Sequence, residues 1–128
     1  MKPPILDDKS LPGPDPGQLQ VIRTYGPGRF LIGEREWREP VLVTPIATTA
    51  WHAASADDLA LELLKDAPQV ELLVVGCGVR GLFVPPDKRA VFRQAGVGLE
   101  VVDTGAACRI YNVLLAEGRR VAAALIPL

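Results

Sequence analysis

The stretch Glu71-Leu72-Leu73-Val74-Val75-Gly76-Cys77-Gly78 decides the fold class. Leu72 to Val75 are apolar without a break, and turn residues bound them, Pro68 before and Gly76 to Gly78 after. The run is too short for an ordinary helix. A strand with no polar alternation has both faces covered, which marks a central strand of a parallel sheet packed between helices.

Downstream of this strand the chain alternates helix and strand. Asp87 to Ala95 is a short helix entered through Pro85-Pro86 and closed by Gly96, following the preference for proline at helix starts and glycine at helix ends. Leu99-Glu100-Val101-Val102 is the next strand. Thr104 can cap a helix running to about Glu117, with Ala107, Ile110, Tyr111 and Leu114 as its buried stripe. Gly118 ends that helix, and Val121 to Ile126 is a final strand ended by Pro127. Strand–helix–strand–helix–strand implies parallel neighbours joined by right-handed crossovers. Leu72, Val74, Val101, Ile110, Leu114 and Ala123 are the expected core.

Upstream, Ser55-Ala56-Asp57-Asp58 has the form of a capping box with a shorter acid than the usual Glu. Ala56, Leu59, Ala60, Leu63 and Leu64 fall on one helical face, so the spacing predicts a helix stopped by Pro68. From Gln18 to Pro45 the signal is β: alternation over Leu19 to Thr24, a turn at Gly26-Pro27-Gly28, a strand at Phe30-Leu31-Ile32, a turn at Gly33 to Glu36, and a strand at Val41-Leu42-Val43. Residues 1–17 hold Pro3, Pro4, Pro12, Pro14 and Pro16 and read as a flexible Pro/Gly-rich arm. The expected architecture is α/β in three layers: a mostly parallel central sheet with flanking helices and an N-terminal antiparallel hairpin extension. Residues 18–128 form one domain.

The totals exclude several function classes. The chain has 128 residues, 48% apolar and 23% charged, with a net charge of −1 and an isoelectric point near 5.8. That is the size and balance of one globular domain. It lacks the broad basic surface of a general nucleic-acid binder. Two cysteines and one histidine do not make a structural zinc set, and free thiols suit a reducing compartment. The N-terminus lacks the apolar core of a signal peptide, and no apolar run approaches the ~20 residues that cross a bilayer. The expectation is a cytoplasmic protein with no direct membrane insertion and no cofactor.

Gly76-Cys77-Gly78-Val79-Arg80-Gly81 matches G-x-G-x-x-G after a strand. A dinucleotide site needs a helix opening at those glycines, and Leu82 to Pro86 intervene. The other reading is a tight turn in which glycine supplies unusual backbone angles or close approach. Cys108, in the first turns of a helix, raises the question of a thiolate, set against a buried core thiol. A nucleophile also needs a base, and His52, the only histidine, cannot be placed beside it by sequence. Arg109 is a natural partner for Asp103. Gly76, Cys77, Gly78, Asp103, Thr104, Cys108, Arg109 and Asn112 together make a candidate ligand or interaction edge, because open α/β sheets bind beyond the carboxyl ends of their strands. No residue is assigned a catalytic or metal-binding role.

Two stretches carry a family resemblance: Val75-Gly76-Cys77-Gly78, and the run from Asp103-Thr104-Gly105-Ala106-Ala107-Cys108-Arg109-Ile110-Tyr111-Asn112 through to Ile126-Pro127. With Tyr25-Gly26, Phe30 and Pro45, they resemble a small domain of unknown function found in bacterial and archaeal hypothetical proteins and in the mitochondrial complex I (NADH:ubiquinone oxidoreductase) assembly factor. The resemblance spans nearly all of residues 18–127. Ile110 stands where a threonine is expected and Val102 where a methionine is expected; the first removes a hydroxyl from the helix and weakens any catalytic role for it. The resemblance implies an α/β fold and a non-enzymatic interaction domain whose partners are other proteins, respiratory-complex subunits or assembly factors among them. The alternative is a small-ligand binder or small enzyme using the glycine loop and the start of the last helix. Homo-oligomerisation stays open. Trp37 and Trp51, if exposed, are candidate interface anchors.

Overall fold

The computed structural model describes residues 19–79 and 84–128. The arm at 1–17 lies outside them, as do Arg80 and Gly81 of the glycine motif. The elements in chain order are β1 (Ile22–Gly26), β2 (Arg29–Ile32), β3 (Arg35–Trp37), β4 (Val41–Val43), β5 (Thr48–Ala50), two 3-10 turns (Ala56–Asp58 and Leu61–Leu64), β6 (Leu72–Cys77), α1 (Pro86–Gln94), β7 (Gly98–Val102), α2 (Thr104–Ala116) and β8 (Val121–Ile126).

The uninterrupted apolar strand sits where its sequence requires. β6 lies inside a five-stranded sheet of order β5-β4-β8-β6-β7, parallel to β7 and to β8. The sheet is nevertheless mixed, because β4 runs antiparallel to both β8 and β5. The expected mostly parallel sheet is therefore corrected. The expected N-terminal antiparallel extension holds only for the last part of that stretch: β4, with β5, extends the central sheet. β1, β2 and β3 form their own antiparallel sheet, and this small sheet shares with α2 the covering of one face of the central sheet. Strand patterning says which residues alternate, not which sheet a hairpin joins.

Alternate residues of the central strands feed two cores. On one face Val41, Val43, Val74, Val121, Ala123 and Leu125 meet Ile22, Phe30 and Ile32 of the small sheet and Ala107, Cys108, Tyr111 and Leu115 of α2. On the other, Leu42, Leu73, Val75, Ala122 and Ala124 meet Trp51, Leu59, Leu64, Phe92 and Val97. Val74 and Ala123 are buried as expected. Leu72, Val101, Ile110 and Leu114 are only partly buried: Leu72 is the first residue of β6, β7 is an outer strand, and α2 keeps one side toward solvent. Both tryptophans are buried, Trp37 at 8% exposure and Trp51 at 6%, which removes them as interface anchors. The Arg35 guanidinium lies 4.0 Å above the Trp37 ring.

The predicted helix over Ala56–Leu64 is the other correction. Ala60 is extended (φ −146°, ψ 151°), so the segment breaks into two 3-10 turns. Half of its capping box forms: the Asp58 carboxylate accepts from the Ala54 and Ser55 N–H groups (2.7 and 3.4 Å), while Ser55 Oγ accepts from Asp57 N–H (3.2 Å) instead of from Asp58. Leu59 and Leu64 still reach the core. Apolar spacing was satisfied by burial without a helix.

Candidate functional site

Gly76, Gly78, Asp103 and Thr104 converge where β6 and β7 end and α2 begins. The convergence is built by the Thr104 side chain, which is fully buried. Its Oγ1 accepts from the Gly78 N–H (2.8 Å) and donates to the Ile126 carbonyl (2.6 Å). Its own N–H donates to the Gly78 carbonyl (2.9 Å). Thr104 thus joins the ends of β6 and β8 to the helix start, and Asp103 takes the capping role expected of Thr104: its carboxylate accepts from Ala106 N–H at 2.9 Å.

The two described glycines of the motif have separate reasons. A Cβ on Gly76 would lie 3.0 Å from the Thr104 Cα, the Thr104 Oγ1 and a Leu125 methyl, so only glycine admits the helix this close. Gly78 is left-handed, φ +85°, which glycine adopts without strain. Its N–H is taken by Thr104, and α1 begins only at Pro86. The helix that does start here carries its own carboxylate at the positive end, where a phosphate would have to sit. The turn reading of the glycines is the one these contacts fit.

Cys77 is half-buried, its thiol donating to the Val102 carbonyl (3.0 Å). Cys108 is fully buried. Both are free thiols. Burial, with the Asp103 charge adding to it and Arg109 partly offsetting it, pushes the Cys108 thiol up to about 12. Desolvation outweighs the helix dipole, and the thiol is protonated at neutral pH. Exposed His52 lies in a different place, lining a cleft of about 550 Å³ with Asp58, Glu62, Lys65 and Asp66.

Arg109 and Asn112 face the small sheet instead of the strand ends. Arg109 donates to the Tyr25 hydroxyl (2.7 Å); the expected Asp103–Arg109 ion pair is not among those formed by the described residues. Asn112 acts as a substitute strand partner for β1, donating to the Ile22 carbonyl (2.8 Å) and accepting from the Ile22 N–H (3.0 Å). Tyr111, fully buried, donates to the Gln20 carbonyl (2.9 Å). Burial raises the Tyr111 hydroxyl well above its usual range. Sequence reasoning missed the Tyr25 and Gln20 partners because they lie 84 and 91 residues away with no local signal. Among the described residues no cluster of His, Cys, Asp or Glu could hold a metal ion, and no helix is long and apolar enough to cross a membrane.

These contacts define a small mixed α/β domain in which the polar groups at the start of α2 join two sheets to one helix. The family described as "Protein of unknown function (DUF498/DUF598)" matches residues 22–126, and the chain belongs to it. It is 38% identical over 117 residues to the Xenopus tropicalis protein named NADH dehydrogenase [ubiquinone] 1 alpha subcomplex assembly factor 3, covering 88% of this chain and 64% of that protein. It is 41% identical over 107 residues to an uncharacterised protein of Rhodobacter capsulatus, covering 84% of each. The chain spans less than two thirds of the frog and zebrafish assembly factors. A Bordetella parapertussis protein of known crystal structure has the same fold, with a TM-score of 0.77 at 33% identity over 86% of this chain and 97% of that one. A Bordetella pertussis protein described as an Mth938-like domain scores 0.75 at 26% identity, over 91% and 90% of the two chains.

Proposed function

We propose that this chain is an interaction domain that assists assembly of a respiratory complex by contact with other proteins, without turnover of its own. The observation that carries the reading is the 38% identity to a protein named as a complex I assembly factor. The geometry supports it from the other side. The residues most open to a chemical reading are engaged internally: the Gly78 N–H and the Thr104 hydroxyl with each other, Arg109 with Tyr25, and Asn112 with Ile22. Cys108 is buried and protonated. Groups so engaged hold the frame and leave partner contact to the outer surface. Its partners on this reading are subunits of the complex or other assembly proteins, met from the cytoplasm.

The test is deletion of the gene in its native host, with blue-native gels for assembled complex I and affinity purification for partners. Loss of assembled complex together with recovery of a complex I subunit or assembly protein is expected. Normal amounts of active complex and no co-purifying partner would refute the proposal and bring forward binding of a small ligand at the glycine loop.

A further inference from the structure

β7 is an outer strand, paired with β6 on one side and with no described strand on the other. Its bonding sense follows from one contact: the Gly98 N–H donates to the Glu71 carbonyl at 2.9 Å. In a parallel ladder Gly98, Glu100 and Val102 then bond toward β6, and the N–H and C=O groups of Leu99 and Val101 point away from the sheet. The thiol contact from Cys77 to the Val102 carbonyl (3.0 Å) has the same sense. Proteins usually blunt such an edge with proline, lysine or a bulge. β7 has none of these, its register with β6 is unbroken, and Glu100 is its only charge.

Two cations stand beside this edge. Arg89 and Arg93, one turn apart on the exposed side of α1, line a cleft of about 230 Å³ with Gly96, Val97, Gly98 and Leu99. Neither guanidinium enters an ion pair among the described residues. Leu99 and Val101 face the α1 side, since they belong to its core cluster; Glu100, in register with Val74, faces the other.

We propose that the β7 edge takes up an extended acidic segment of a partner protein as an added outer strand. The outward N–H and C=O groups of Leu99 and Val101, unpaired among the described residues, supply the ladder. Guest side chains on the α1 face are acidic and meet Arg89 and Arg93; those on the other face, opposite Glu100, are apolar or basic. This deepens the interaction-domain reading, on which the partner's biological role rests.

The test uses the full chain, ¹⁵N-labelled, titrated with a capped peptide of alternating valine and glutamate and, separately, with its valine–lysine counterpart. Saturable binding of the glutamate peptide is expected, with the Leu99 and Val101 amides gaining protection from hydrogen exchange. The Arg89→Glu/Arg93→Glu double variant, altered only at exposed positions, should keep its fold and lose roughly tenfold or more in affinity. Val101→Pro removes an outward N–H together with the partly buried valine side chain; with the ¹⁵N spectrum showing the fold retained, it should abolish the protection at Leu99. No saturable binding, equal binding of the lysine peptide, or binding that leaves the Leu99 and Val101 amides unprotected would overturn the proposal. So would a concentration-dependent dimer abolished by Val101→Pro, which would give the edge to a second copy. Failure here with assembly partners still recovered refutes this surface alone; peptide binding with complex I intact in the deletion strain refutes the assembly role alone.

Discussion

Replacing Thr104 by valine removes one hydroxyl and keeps the shape of the side chain. Two groups lose a partner: the buried Gly78 N–H (2.8 Å) and the half-buried Ile126 carbonyl (2.6 Å). An unsatisfied buried donor costs about 1–3 kcal/mol, and a carbonyl that can recruit water costs less. The added methyl returns about 0.8 kcal/mol of apolar burial. The net loss is about 1–3 kcal/mol, which at this chain length lowers Tm by roughly 4–15 °C. Thr104→Ser loses a buried methyl of comparable worth, so melting alone does not separate the two variants. Hydrogen exchange does. The Gly78 amide should lose protection in Thr104→Val and keep it in Thr104→Ser. A valine variant that melts with the parent and keeps its Gly78 amide protected would refute the role given to this hydroxyl.

Gly76→Ala should destabilise by about 1–3 kcal/mol, because its Cβ would press on the Thr104 backbone at 3.0 Å; chemical denaturation measures it, and an unchanged midpoint would count against the close approach. Asn112→Ala should cost about 1–3 kcal/mol and speed exchange at Ile22, whose amide now donates to Asn112, before the central strands open. Iodoacetamide at neutral pH should modify Cys77 and spare Cys108 while the chain is folded, with mass spectrometry as the readout. The folded state holds the Cys108 proton up to about pH 12, against 9.0 for an ordinary thiol. Its contribution is therefore whole below pH 9 and is lost as pH rises toward 12. Tm should fall through that window more steeply for the parent than for Cys108→Ala.

The legible parts of the fold were those where a local signal and its physical cause coincide. α2 was readable because Gly118 ends it and its apolar spacing is helical; only its cap moved from Thr104 to Asp103. β6 was readable because nothing polar interrupts it. The 56–64 segment misled because helical spacing describes which residues seek the core, and Leu59 and Leu64 reach it from separate turns. β3 and β5 were missed because Arg35-Glu36 and Thr48-Thr49 are polar strand residues. The split into two sheets sets Asn112 against the β1 edge over a separation of 90 residues, which no window of sequence displays.

The same distinction bears on where function is sought. Motif reading singled out polar residues at strand ends and on α2, and they bond within the fold: buried Thr104 between β6 and β8, half-buried Asn112 and exposed Arg109 between α2 and β1. A polar group that must be buried has few acceptable environments, so it stands out in sequence whether it binds a ligand or holds the fold together. A docking surface made of backbone groups has the opposite character. The strand Leu99-Glu100-Val101-Val102 reads the same whether a neighbour covers it or not; what sets it apart is the strand order, which leaves β7 outermost. In this domain the polar residues that stand out in sequence are bonded within the fold, and the proposed docking edge becomes visible only once the strand order is known.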